Sequence, residues 1–155
     1  MLKFVDYDIV FREVPDEVTL ALNLAGCPNG CPGCHSPYLM QDIGHELTAD
    51  ALDDLLRNYQ AEVTCLCFMG GDASPHEVAR WARHIRLRFP GTKVAWYSGR
   101  ALLPDGFDTA AFHYIKLGPY VAERGPLDNP NTNQRFFYVS PNGELTDQTA
   151  RFWRK

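Results

Sequence analysis

Several features that would assign a class early are missing from this sequence. No stretch approaches the roughly 20 consecutive apolar residues of a membrane-spanning helix, and Met1 to Asp8 carries acids where a secretory signal has its apolar run. Positive charge is scarce: 15 Lys and Arg stand against 19 Asp and Glu, a formal net charge of -4, whereas a nucleic-acid-binding surface is usually basic. These absences predict a cytoplasmic protein with no membrane and no nucleic acid among its partners. There is no internal repeat, heptad or low-complexity tract, and 45% hydrophobic with 22% charged residues is the composition of a folded chain. A length of 155 residues predicts one domain over 1-155, large enough to bury a core and too short for two.

Cysteine is also sparse, and its distribution is uneven. Five is an odd number, which in a reducing compartment means thiols or metal ligands instead of disulfides. Three of the five fall inside Cys27-Pro28-Asn29-Gly30-Cys31-Pro32-Gly33-Cys34. The prolines and glycines prevent helix or strand from running through this segment, so the backbone can aim three sulfurs at one point. Thiolates select soft metals: zinc, copper(I) or iron-sulfur clusters. Structural zinc takes four protein ligands, but His35 adjoins Cys34 and no second Cys-x-x-Cys pair follows. Three ligands on a cubane cluster would leave one iron open, and an open iron implies chemistry or a bound substrate.

Along the chain, residues 3 to 12 alternate loosely and predict a short strand or extended cover. Residues 18 to 25 read as a strand that is nearly continuous in apolar character, and the cysteine segment follows it. A helix is predicted from Thr48 as N-cap, with Leu47 and Leu52 as a hydrophobic staple and Leu52, Leu55, Leu56 and Tyr59 as the buried stripe. Val63 to Met69 is apolar on both faces, as a parallel strand covered by helices is, and runs into Gly70-Gly71-Asp72. Ser74, Pro75 and Glu77 predict the next helix with a capping box. Its inner stripe is Val78, Trp81, Ala82, Ile85 and Phe89, while Arg80, Arg83, Arg86 and Arg88 form a solvated face.

Strands follow at 92 to 98 and 112 to 117, each closed by glycine. A polar loop spans 125 to 134, and a terminal hairpin turns at Pro141-Asn142-Gly143. Alternating strands and helices imply βαβ units and a mostly parallel sheet, in which functional groups gather at the C-terminal strand ends. The cysteine segment, Gly70-Gly71-Asp72, Ser98-Gly99-Arg100 and Gly118-Pro119 would then converge on one edge. Cys65 and Cys67 share one strand face and are expected to be small buried hydrophobes. Lys116, in an otherwise apolar strand, has two readings: it points into the site, where an anion would balance it, or, as is commoner, it carries its head to the surface.

Cys27-x3-Cys31-x2-Cys34, followed by Met69-Gly70-Gly71-Asp72 at the end of the next strand, resembles the radical S-adenosylmethionine (SAM) superfamily. Within it, the small size, the Cys-Pro-Gly-Cys segment, Trp96-Tyr97-Ser98-Gly99 and Asn133-Gln134-Arg135 resemble the activating proteins of the anaerobic ribonucleoside-triphosphate reductase, loosely from about residue 9 to the end. The resemblance implies an α/β fold of the partial, open (β/α) radical-SAM barrel type. It also implies a [4Fe-4S] cluster on Cys27, Cys31 and Cys34, with S-adenosyl-L-methionine chelating the fourth iron. The implied activity is reductive cleavage of SAM to a 5'-deoxyadenosyl radical, which generates a glycyl radical on the reductase, with flavodoxin or ferredoxin as electron donor.

On the same resemblance, Gly70 and Gly71 let backbone approach SAM, Asp72 accepts from its ammonium group, and Ser98 and Arg100 contact its ribose or carboxylate. His35 stands where an aromatic often packs near the adenine. Taken without the resemblance, the two glycines are a strand-to-helix turn needing positive φ, with Asp72 near a helix N-terminus. The pattern departs from the family before the first core strand, where Arg12 to Glu17 occupies the place of a Gly-Glu-Gly segment. Four or five parallel strands cannot close an eight-stranded barrel, and an open side would admit a loop of another protein. Two other readings stay open: a small radical SAM enzyme acting on a metabolite, similar to the carboxy-deazaguanine synthases, and a non-catalytic zinc-binding or electron-transfer module.

Overall fold

The structure is a computed structural model that describes residues 2 to 25 and 44 to 153. Eight strands form one sheet: β1 (Lys3–Val10), β2 (Thr19–Leu24), β3 (His45–Glu46), β4 (Cys65–Met69), β5 (Lys93–Tyr97), β6 (Tyr114–Leu117), β7 (Arg135–Val139) and β8 (Leu145–Asp147). Their order across the sheet is β3-β1-β2-β4-β5-β6-β7-β8. The centre, β2-β4-β5-β6, is parallel, as expected for strands linked by crossovers.

The expectation of a mostly parallel sheet does not hold, because four of the seven pairings are antiparallel. Two of the four join consecutive strands by connections too short for a parallel crossover, β1 to β2 through residues 11 to 18 and β7 to β8 through 140 to 144. By contrast, β6 and β7 are antiparallel across the longer loop 118 to 134, and β3 pairs β1 out of sequence order. The molecule is therefore mixed α/β. These pairings describe a sheet with two edges and do not by themselves make an open barrel.

Two helices, α1 (Ala49–Tyr59) and α2 (Pro75–Arg88), cover one face. Thr48 caps α1, its Oγ1 accepting from Ala51 N–H at 3.1 Å, and Leu47 and Leu52 are both buried in the adjoining cluster. Leu52 and Leu56 are fully buried, with Leu55 and Tyr59 packed beside them. In α2, Val78, Ala82 and Ile85 make the buried stripe, flanked by Trp81 and Phe89.

The capping box predicted for α2 does not form. Ser74 makes no side-chain cap bond, and the Glu77 carboxylate instead accepts Leu2 N–H at 2.8 Å, which ties the start of β1 over the helix. The arginine face is also not simply solvated. Arg83 holds Asp108 through two bonds of 2.7 Å, Arg86 donates to Ala110 O, and Arg88 reaches the buried Asp53 at 2.9 Å, so three of the four fasten α2 to its neighbours.

The β5 to β6 crossover carries a 3-10 turn (Thr109–Ala111) in place of a long helix. Phe107 and Phe112 substitute for a helix by stacking on Trp96, with ring centroids 5.0 and 6.0 Å away. The opposite sheet face has its own cluster of Cys65, Cys67, Ala95, Tyr97, Tyr114 and Phe136, closed by Val14 and Leu127. Cross-strand register puts Asp6, Asn23, Met69, Tyr97, Lys116 and Phe136 in one row along this face. The row lies just beneath the C-terminal ends of the parallel strands.

Candidate functional site at the C-terminal strand edge

The loops leaving β4, β5 and β6 meet at this edge, and each is shaped by a different constraint. After β4, Gly70 and Gly71 adopt φ of 100° and 82°, the left-handed region that costs glycine least. An added Cβ at Gly71 would lie 2.7 Å from Val78 Cγ2 and 2.9 Å from Leu24 Cδ1. That glycine is thus pressed against the helix-side core. At Gly70 the nearest atom to an added Cβ is Leu24 O at 3.4 Å, so its surroundings are looser. Trp96, whose buried indole N–H needs an acceptor, donates to Gly70 O at 2.7 Å, while Gly70 N–H donates to Tyr97 O at 3.0 Å.

Asp72 is buried, and its two oxygens accept from Ser98 Oγ at 2.6 Å and Gly99 N–H at 2.9 Å. Ser98 is also buried, and its Oγ accepts Arg100 N–H at 3.1 Å. Both residues predicted to touch SAM therefore use their side chains to join the β4 loop to the β5 loop. Arg100 itself is exposed, and its carbonyl accepts Gly118 N–H at 2.7 Å.

Lys116 takes the inward of its two readings. It does not carry its head to the surface: only 9% of the residue is exposed, and Nζ donates to Ser98 O at 2.9 Å and Gly118 O at 3.1 Å. The same Nζ lies 5.8 Å from the centroid of the Tyr97 ring. Gln134 adds a bond of 3.4 Å to Gly118 O, and Asn133 donates to Pro119 O at 3.1 Å, so the two ends of the loop between β6 and β7 are clasped. In the sequence, Asn133-Gln134 carries only part of a family resemblance. Two amide side chains at the end of a long Pro/Asn loop are the local signal for such a clasp.

Cys65 and Cys67 are fully buried, as expected. Burial pushes both thiols well above their ordinary range, which keeps them protonated and inert as ligands. Burial likewise raises the Tyr97 phenol, and its hydroxyl has no hydrogen-bond partner among the described residues. The remaining predicted residues, Cys27, Cys31, Cys34 and His35, lie outside the described residues. Ala25, the residue after β2, precedes Cys27 by two positions in the sequence.

The donor chemistry suits a cubane cluster. With two of the five cysteines committed to the core, three remain in one Gly/Pro-rich segment. Among the described residues no group of three His, Cys, Asp or Glu is placed to hold a metal ion. A family model described as a 4Fe-4S single cluster domain matches residues 17–104, more than half of the chain. The chain belongs to that 4Fe-4S family. The matched region of this 4Fe-4S protein takes in the cysteine segment, Gly70 to Asp72, Ser98 and Arg100, and stops before Lys116. No curated protein and no solved structure matches the chain. Among the described residues no helix is long and apolar enough to cross a membrane.

Proposed function

We propose that this 4Fe-4S protein is a cytoplasmic radical SAM activase for the anaerobic ribonucleoside-triphosphate reductase, with flavodoxin or ferredoxin supplying electrons. The observation that carries the reading is the coincidence of three thiolate donors with a glycine turn of positive φ. The cysteine segment follows β2, the turn at Gly70 and Gly71 follows β4, and these two strands are parallel neighbours. A reduced [4Fe-4S] cluster, when bound, supplies the electron that cleaves the carbon-sulfur bond of SAM, and the resulting 5'-deoxyadenosyl radical takes hydrogen from a glycine Cα of the reductase.

In this reading Cys27, Cys31 and Cys34 would hold the cluster, with one iron left to SAM. Gly70 offers backbone without a side chain, and the exposed Arg100 supplies a cation for the carboxylate or ribose side. His35 would stack near the adenine. Asp72 and Ser98 hold the loops in position, and Asp72 can share its carboxylate with the SAM ammonium. The glycine-bearing loop of the partner would approach at the C-terminal strand edge, since Val14 and Leu127 cover the helix-free face.

The test is anaerobic reconstitution with iron and sulfide, reduction, and addition of SAM with and without the reductase. The activase predicts 5'-deoxyadenosine together with a glycyl-radical EPR signal on the reductase. Deoxyadenosine without transfer would turn the search to metabolite substrates of the carboxy-deazaguanine synthase kind. An intact cluster that never cleaves SAM would overturn the enzyme reading in favour of an electron-transfer module.

A further inference from the structure

Lysine is among the residue types least often buried unless paired, and taking an ammonium out of water costs several kcal/mol. Lys116 nevertheless stands in β6, where all four residues are buried. Its Nζ donates to Ser98 O and Gly118 O. The Ser98 carbonyl belongs to the same peptide group as Gly99 N–H, and that N–H donates to the buried carboxylate of Asp72 at 2.9 Å. One peptide group therefore sits between a buried cation on its oxygen and a buried anion on its nitrogen. Gly118 is held comparably, with its carbonyl on Lys116 and Gln134 and its N–H on Arg100 O. A single ammonium thus fixes the loop after β5 and the loop after β6, at carbonyls that a neutral side chain would hold less firmly.

We propose that Lys116 is a positioning residue for SAM binding, acting through the Ser98 and Gly118 carbonyls and counterbalanced by Asp72 across the Ser98-Gly99 peptide. The SAM half of this inference rests on the function proposed above, whereas the loop-fixing half does not. Lys116 lies beyond the matched family region, so this lock extends the site to a strand that the family description does not reach.

The test compares wild type, Lys116→Met and Lys116→Gln as cluster-reconstituted chains, reading amide hydrogen exchange, SAM affinity and iron content. Lys116→Met should speed exchange at Gly99 and Gly118 and weaken SAM binding, each by about tenfold, the scale of a lost charge-assisted bond. Exchange within α1 and iron content should not change. Lys116→Gln keeps a donor without the charge and should recover part of both effects. Should Lys116→Met fail to fold, seen as lost protection in α1, the Gln variant decides with intermediate exchange at the same two amides.

Unchanged exchange at Gly99 and Gly118 in a folded variant would overturn the lock, and faster exchange with unchanged SAM affinity would overturn its role in binding. A wild type that does not bind SAM would overturn the activase reading and, with it, the binding role. The two amides would still report on the lock.

Discussion

The two ends of the parallel strands use charged side chains differently. Below the starts of β2, β5 and β6, charged and polar side chains meet one another: Glu17 accepts from Lys93 Nζ at 2.9 Å and Tyr114 OH at 3.0 Å, and Arg151 reaches Asp16 at 2.6 Å. At the opposite edge, Asp72 and Lys116 are both buried, and among the described residues Lys116 bonds backbone carbonyls of two connecting loops while Asp72 bonds one loop N–H and the Ser98 hydroxyl. Side chains that pair with each other close a core. Side chains spent on backbone set the shape of loops, which is what a site needs when its ligand is gripped by main chain and by a neighbouring metal. Val14 and Leu127 cover the helix-free face, and Phe152 packs against Phe136 at 5.1 Å between ring centroids.

The comparison breaks most visibly at the cysteines. Cys31→Ala should abolish stable [4Fe-4S] content and all SAM cleavage, measured as iron and sulfide per chain and as deoxyadenosine, while Cys67→Ala should keep the cluster. Gly71→Val comes next, because its side chain would enter space held by Val78 and Leu24 at φ of 82°. Overpacking together with a left-handed backbone should cost roughly 3 kcal/mol or more by denaturant unfolding. Any loss of SAM binding in that variant would then follow from misfolding.

Glu17→Gln, at the other end, should cost about 1 to 2 kcal/mol, since Lys93 is half exposed and part of the pairing is screened. SAM affinity should not change, and a tenfold loss would erase the distinction between the two ends. Tyr97→Phe sharpens the contrast at the site edge. Removing a buried hydroxyl with no partner among the described residues should leave stability unchanged or raise it by up to about 1 kcal/mol.

The smallest effect is in pH dependence at the closed end. Burial, aided by the charges of Arg86 and Lys93, lowers the pKa of His113, and its Nδ1 accepts Val94 N–H at 3.0 Å. The folded state therefore refuses a proton that the unfolded chain accepts. This contribution is complete above the unfolded histidine value of about 6.5 and is lost as pH falls through that value toward the folded one. Unfolding measured at pH 5.5 and 7.0 should show a larger acid loss in wild type than in His113→Asn.

Much of this arrangement was legible in the sequence, and its failures have physical causes. Strand and helix positions followed from apolar periodicity, because β4, β5, α1 and α2 bury continuous runs or clean stripes. Strand direction was not legible: alternation in residues 3 to 10 is the same whichever way the chain runs, and only two of the four antiparallel pairings follow from short connections. The sequence string for a capping box at Ser74 and Glu77 was present, but a tertiary partner, Leu2 N–H, took the carboxylate. For Asp72 and Ser98, sequence showed that they belong to the convergent edge and left open what they bind, since a carboxylate suits an ammonium and a peptide N–H equally. The burial of Lys116 depended on two carbonyls from different loops, which no local pattern encodes.

The central claim is that the C-terminal edge carries a cluster with one iron left to a substrate. The most direct test is the EPR spectrum of the reduced, reconstituted protein recorded with and without SAM. The account predicts a [4Fe-4S] signal whose g-values shift on adding SAM. A signal of the same type that SAM leaves unchanged would contradict it.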